Sequence, residues 1–481
     1  MGIGISNWRL AREVARHGGL GVVSGTAINS LMIRRLQDGD PEGHVRRALS
    51  RFPFPSIATR ILEKYFVEGG IPRGTPYKRS PMYTLNADPE LDALTVASNF
   101  VEVHLAKEGH DGVVGVNFLE KIQMPHLASL YGVMLAGVDY VLMGAGIPRD
   151  IPGILDAYAR NAAASLKIWV ENAEAGAYKK YFDPQAFAGG EPLPTLKRPK
   201  FLAIVSSAIL ARSLATKASG RIDGFIVETP TAGGHNAPPR GALQLNERGE
   251  PIYGVKDAVN FKEMASLGVP FWLAGSYGSP EGLMDAIASG AHGIQVGTAF
   301  AYSREAGMVE SLRKIVWEKI KQAAAPRSLV FTDPLASPTG MPFKVVEADG
   351  TISENDVYAA RPRKCDLGYL RDPALTADGK IVYKCASEPV EVYVKKGGRR
   401  EDTNGRKCLC NALMATVGHA QHQESGYVEA PLITSGDDVG VLKRLLADKS
   451  NWFTAADVLE FLLAPLQKGV LKPAASVQAA F

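Results

Sequence analysis

Gly224-Phe225-Ile226-Val227-Glu228-Thr229-Pro230-Thr231-Ala232-Gly233-Gly234-His235-Asn236-Ala237-Pro238-Pro239-Arg240-Gly241 is the stretch from which the rest of the chain can be read. Its apolar run, Phe225-Ile226-Val227, suits a parallel strand buried on both faces, and it passes directly into a loop rich in Gly and Pro. Gly233 and Gly234 remove two side chains just ahead of His235, so a flat ring can approach the backbone while the imidazole leans over it. The plainer reading is a glycine turn with a solvated histidine. What the neighbouring strand ends carry decides between the two.

Outward from that stretch, strand, Gly-rich turn and helix recur. Upstream, residues 20–23, 112–118, 139–143 and 201–206 read as strands, with helical patterns over 125–136 and 208–218. At the N-terminus, Ser6 is the expected N-cap of a helix whose apolar face is Trp8, Leu10, Ala11, Val14 and Ala15. Downstream, residues 257–267 are amphipathic and 269–274 form a buried strand. Ser279 then caps a helix that begins at Pro280 and stops at Gly290, and residues 293–296 make the last strand. Strand starts at Leu20, Gly112, Asp139, Phe201, Gly224, Val269 and Gly293 give seven parallel-type strands in an α/β chain, one short of a (β/α)8 barrel.

Two segments break this rhythm. Residues 151–187, followed by the Pro-rich run 189–199, are too long for a loop and are expected to be a helical insertion over about 151–199. From residue 334 the texture changes to Pro, Gly and charge, with short β-like runs at 381–383 and 390–394 and a helical pattern over 450–466. The expected division is a barrel over 1–333 and a smaller α+β module over 334–481 packed on it.

The chain has 481 residues, 46% hydrophobic and 22% charged, which is ordinary for a globular protein with a sizeable core. Its 54 basic and 50 acidic residues leave a net charge of +4, so no nucleic-acid-binding face is implied. No apolar run reaches the roughly 20 residues of a membrane span, and the first ten residues do not read as a signal peptide. The expected location is the cytoplasm. Cys365, Cys385, Cys408 and Cys410, with His419 and His422 nearby, match no familiar ligand spacing and are expected to be free thiols, with no metal. His17, His44, His104, His110, His126 and His292 are expected to be ordinary surface or helix residues.

Chemistry is expected where the last two barrel units end. Gly275-Ser276 and Gly297-Thr298 follow successive strands, and their backbone N–H groups can point at one anion, as in the phosphate sites of barrel enzymes. No Gly-x-Gly-x-x-Gly follows a strand, so a monophosphate suits these loops better than a dinucleotide.

Taken in order, residues 1–6 (Met-Gly-Ile-Gly-Ile-Ser), 18–21, Gly115-Val116-Asn117-Phe118, Ala232-Gly233-Gly234-His235, Ala274-Gly275 and Gln295-Val296-Gly297-Thr298 resemble the nitronate monooxygenases, once called 2-nitropropane dioxygenases. The resemblance covers about the first 330 residues and implies an FMN-dependent (β/α)8 barrel. It implies that His235 is the catalytic histidine, a base on a carbon acid or a holder of the anionic nitronate. By the same match Gly275, Ser276, Gly297 and Thr298 hold the FMN phosphate, Asn117 faces the isoalloxazine, Gly2 lies in the first flavin-contacting turn, and Gly234 lets the ring approach. A nitronate and dioxygen would then be the small-molecule partners.

The chain departs from the family at Thr231, where Glu is common, at Ser276, where a second Gly is common, and over 236–240. Because the chain starts at the Met-Gly turn, the family's first barrel strand is expected to be missing, lying upstream of Met1. The chief alternative is a flavin-dependent reductase using NADH or NADPH, such as an enoyl reductase on carrier-bound acyl chains, since those relatives share Ala-Gly-Gly-His. A non-catalytic barrel that binds a phosphate ligand is the third.

Overall fold

The computed structural model describes residues 2–447 and 452–467; Met1 and Ser450, the expected start of the last helix, are among those outside. Strands β1 (Gly21–Ser24), β2 (Val114–Leu119), β3 (Tyr140–Gly144), β4 (Ala164–Ile168), β5 (Tyr178–Phe182), β6 (Lys200–Val205), β7 (Gly224–Glu228), β8 (Phe271–Ala274) and β9 (Gly293–Gln295) follow one another among helices. Seven of them form one curled parallel sheet in the order β1-β2-β3-β6-β7-β8-β9. These are the seven strands whose starts the sequence marks.

Both faces of the sheet are apolar, for different reasons. Val141, Phe201, Phe225, Phe271 and Leu273 point out to the surrounding helices and join the main core. The alternate residues Tyr140, Leu142, Leu202, Ile226, Trp272 and Ala274 point inward and form a second cluster inside the curl. A phenylalanine buried as fully as Phe225 contributes about 1.5–3 kcal/mol, so register is tightly fixed.

Among the described strands β1 and β9 are the ends of the order and are not paired with each other. A cavity of about 240 Å³ runs into the curl, lined by Leu20, Val22, Leu202, Ile226, Trp272 and Ile294 and closed from outside by Leu459, Leu462 and Leu463. Those leucines belong to the helix Ala455–Gln467.

Four local expectations are corrected. Asn7, not Ser6, caps the first helix: its Oδ1 accepts from Leu10 N at 3.0 Å, while Ser6 Oγ donates to Val22 O at 2.5 Å and ties the N-terminal turn to β1. The 151–199 insertion is not mainly helical. After the helix Ile151–Tyr158 come β4 and β5, an antiparallel hairpin, because Leu166, Ile168, Lys180 and Phe182 alternate inward with exposed partners. The segment at 390–394 is a helix, Val390–Lys395, started by Pro389 and stopped before Gly397 at φ 84°. Its alternating valines have strand periodicity, but Pro and Gly at its two ends decide.

The fourth correction concerns the boundary after residue 333. It falls within a hairpin of β10 (Val330–Asp333) and β11 (Phe343–Val346), so barrel and module share an element there. The module continues with β12 (Asp372–Leu375) paired to β13 (Ile381–Lys384), and with the buried helix Leu409–Thr416. A buried ion pair, Arg361 with Glu429, lies inside the module. Two helices of the 25–111 segment, Ile28–Gln37 and Pro89–Lys107, pack on the barrel. No described helix is long and apolar enough to cross a membrane.

Candidate active site

β7 ends at Glu228, and the loop after it is sewn into the C-terminal module by its backbone. Thr231 O accepts from Asp437 N at 2.9 Å, Gly234 N donates to Thr434 Oγ1 at 2.9 Å, and Gly234 O accepts from Lys344 N at 2.9 Å. Asn236 N donates to Pro342 O at 2.9 Å. A loop rich in glycine and proline has few bonds of its own, and these satisfy groups that burial would otherwise leave unpaired. Gly233 must be glycine: a Cβ there would lie 2.8 Å from Gly436 N and 2.8 Å from Ser435 C. Gly234, at φ 84°, has no atom within 4 Å of its Cβ position and so presents an open face.

That face looks onto two adjoining cavities at the C-terminal end of the sheet. The first is the one that enters the curl; the second, of about 290 Å³, is lined by Asn117, Gly144, Ser206, His235 and Asn236 from the barrel side. Both touch Gly2, Glu228, Gly234, Gln295, Leu413 and Thr434. The roof of the second is the module: Met341, Phe343, Tyr369, Leu370, Leu409 and Cys410.

Gly275, Ser276, Gly297 and Thr298 line the first cavity together. Gly275 has φ 94°, and a Cβ there would come within 2.3 Å of Thr229 Oγ1. Ser276 has φ 58°, a left-handed conformation that costs an L-residue about 1–2 kcal/mol. This accounts physically for glycine being common at that position in the resembled family. Gly297 has no atom within 4 Å of its Cβ position.

The module reaches this cradle too. Thr298 Oγ1 accepts from Gly436 N at 3.0 Å, and Ser435 Oγ is 2.7 Å from Tyr302 Oη. Asp438 lies against Gly278 and Gly436 with its carboxyl hydrogen-bonded by Thr298, and burial raises it from its ordinary value. Small residues with open backbone at this cradle leave room for an anionic group of a bound cofactor. Gly234, with an open face, borders both cavities; the small-residue backbone of 275–276 and 297–298 lines the first and His235 lines the second.

His235 sits under the roof. Its Nε2 is 2.7 Å from Ser337 Oγ, and its ring meets Phe343 edge-on with centroids 4.9 Å apart. Burial pushes the imidazole down to about 3, with the Lys121 charge acting in the same direction. In this setting the ring is neutral at ordinary pH.

All eight residues singled out from sequence therefore reach these cavities. The sequence reading passed over Glu228, whose carboxyl burial pushes up to about 7 at the shared wall. It also passed over Ser337, Thr434, Ser435, Gly436 and Asp438. A carboxylate ending a buried strand was the visible signal for Glu228, and the small-residue turn Thr434-Ser435-Gly436-Asp437-Asp438 was the signal for the rest.

The four cysteines are free, and Cys385, Cys408 and Cys410 are buried. Among the described residues no three His, Cys, Asp or Glu side chains are arranged to hold a metal ion. His126, expected to be an ordinary surface or helix residue, starts a helix but is 2% exposed, and burial lowers it to about 4.

Residues 191–337 match the family model described as nitronate monooxygenase. No curated protein matches. Among solved structures, the chain is similar to FabK from Thermotoga maritima at 15% identity, covering 97% of this chain and 91% of that one with a TM-score of 0.48. It is similar to the nitroalkane oxidase of Streptomyces ansochromogenes at 13% identity, covering 98% and 94% with a TM-score of 0.47. The enoyl reductase domain of MlnA from Bacillus amyloliquefaciens is matched at 12% identity over 79% and 86%, with a TM-score of 0.43.

Proposed function

We propose that this chain, which over residues 191–337 carries the nitronate monooxygenase match, is an FMN-dependent oxidoreductase acting on a small carbon acid. The observation that carries the reading is the placement of His235. A neutral imidazole sits at the edge of a cavity whose wall is opened by Gly234, with the anion-facing backbone of residues 275–276 and 297–298 on the other side. Flavin, when bound, supplies the electron and hydride chemistry. The protein's part is to orient the substrate, exclude water and move one proton at His235.

In this reading Gly275, Ser276, Gly297 and Thr298 hold the phosphate, and Gly2, Asn117 and Gly234 border the ring. The apolar roof keeps water out, so a proton taken from or given to the substrate carbon passes through His235. With a nitronate as substrate, dioxygen is the second reactant, and a carbonyl compound and nitrite leave.

The width of the roof favours a second reading. Met341, Phe343, Tyr369, Leu370 and Leu409 offer more apolar wall than a small nitronate needs, which suits reduction of an unsaturated acyl chain by NADH or NADPH. Anaerobic bleaching of the flavin decides between them: by an alkyl nitronate for the first, by NADPH for the second. His235→Ala should keep flavin and lose roughly 10²- to 10⁴-fold in turnover. Colourless protein that takes up no FMN on reconstitution would refute both readings.

A further inference from the structure

The hydrogen bonds around His235 lead away from the cavity it lines. Nε2 is 2.7 Å from Ser337 Oγ, and Ser337 Oγ is 2.8 Å from Thr339 Oγ1. Ser337 is fully buried, whereas Thr339 is half-buried and lines a different cleft of about 350 Å³ together with Lys121, Arg371 and Asp372. Behind Ser337, the backbone N–H of Thr339 donates to Oγ at 3.2 Å. Each hydroxyl thus has one proton to pass on and one acceptor site to receive another.

The segment that carries the two hydroxyls is held firmly. Asp333 Oδ1 accepts from Leu335 N at 2.8 Å and from Ala336 N at 3.0 Å. Arg406 donates to Leu335 O at 2.8 Å and to Ser337 O at 2.6 Å, and Lys407 Nζ is 3.2 Å from Asp333 Oδ2.

We propose that His235, Ser337 and Thr339 form a proton relay connecting the buried imidazole to solvent in the second cleft. The proposal rests on the reading that His235 exchanges a proton with the substrate. An imidazolium formed there is enclosed by Phe343 and the roof, and the desolvation that lowers its basicity demands prompt discharge. In the discharge step the N–H bond at Nε2 breaks as Ser337 Oγ gains that proton. Ser337 gives its own proton to Thr339 Oγ1, and Thr339 gives its own to a water in the cleft. One proton leaves and no electrons move; rotation resets the two hydroxyls, and the ring is left with its proton on Nδ1. Run backwards, the same path returns a proton to Nε2 as Nδ1 gives its own to the substrate, which restores the starting tautomer.

The test uses the full-length protein labelled with ¹⁵N-histidine and, separately, the FMN-loaded enzyme. Without cofactor, Thr339→Val should leave the His235 nitrogen shifts in place but slow exchange of its ring proton with water. With cofactor, Thr339→Val should lower turnover by roughly 10²-fold, and free imidazole buffer, a small proton carrier, should restore part of it. Ser337→Ala should do the same and also change the His235 tautomer, while Ser337→Thr should preserve both. Wild-type exchange and turnover in Thr339→Val, with His235→Ala inactive, would overturn the relay and leave the role of His235 standing. Full activity in His235→Ala would instead remove the premise.

Discussion

Substituting Ala at Gly233 and, separately, at Gly234 tests whether the module is part of the site or a neighbour of it. At Gly233 the new methyl would sit 2.8 Å from two backbone atoms of residues 435–436 and 3.2 Å from a third. Carbon contacts relax near 3.5–4.0 Å, so the two loops must part by roughly half an ångström or more. Overpacking of this kind costs about 1–3 kcal/mol. The displacement also stretches the bonds Gly234 N to Thr434 Oγ1 and Asp437 N to Thr231 O, each worth about 0.5–1.5 kcal/mol net. The expected loss is about 2–6 kcal/mol, with no contribution from backbone strain, because Gly233 is not at positive φ. At Gly234 the methyl meets nothing, and the cost is the left-handed conformation alone, about 1–2 kcal/mol. The two variants should therefore cross: Gly233→Ala the less stable to urea, Gly234→Ala the weaker for FMN because its methyl enters the cavity. Urea midpoints and FMN titrations measure both. A Gly233→Ala protein as stable as wild type, or less destabilised than Gly234→Ala, would refute the docking of residues 434–438 on this loop.

Glu228 gives a pH signature. Its folded carboxyl is raised from 4.5 to about 7 by burial, so between those values the unfolded chain has released a proton that the folded chain keeps. Raising the pH through that window costs stability. Glu228→Gln should therefore gain on wild type as pH rises from 4.5 to 7 and hold a constant advantage above it, read from thermal midpoints across pH; a pH-independent difference would refute the assignment. The Arg361–Glu429 pair is almost solvent-free on both sides. Arg361→Met should cost about 3–5 kcal/mol by leaving a buried charge, and Arg361→Met with Glu429→Leu should recover much of it. Urea midpoints of the single and double variants check this, and equal losses would count against a buried charge as the cause.

The parallel strands were legible because they are largely apolar on both faces, and β1, β3 and β8 stop at a glycine. Phe225 and Ile226 face a helix layer and the interior of the curl, and no other local structure asks for both. That the small-residue loops of the last two units come together was legible for a related reason: Gly275 and Ser276 hold positive φ and Gly297 leaves open space. The hairpin at 164–182 was not legible, because a period-2 pattern of five residues competes with a helical one and only the packing of Leu166 and Phe182 into the core settles it. The module's share of the site was hidden more deeply. Ser337 lies 102 positions from His235 and Thr434 lies 200 from Gly234, and no local pattern reports a contact at that range.

That separation explains how the labour is divided. A parallel strand end offers backbone N–H groups and little else, so on the proposed reading the barrel supplies the anion cradle but leaves an imidazole on a glycine-rich loop to be oriented from elsewhere. The loop's own atoms leave His235 Nε2 without a fixed partner, and a ring free to turn is a poor proton-transfer group. Ser337 fixes the ring from outside the barrel, Phe343 closes its edge, and Lys344 N holds Gly234 O just before it. All three come from one stretch that starts in β10 and returns in β11, itself anchored by Lys344 to Asp437 at 2.8 Å. The same Asp437 holds Thr231 O through its backbone, so the loop, the strap and the turn over the anion cradle form one hydrogen-bonded unit. A disturbance at Asp437 must therefore reach the cradle and His235 together, and Asp437→Ala should weaken FMN binding and turnover in parallel. If either fell while the other held at the wild-type level, the unit would have to be divided in two.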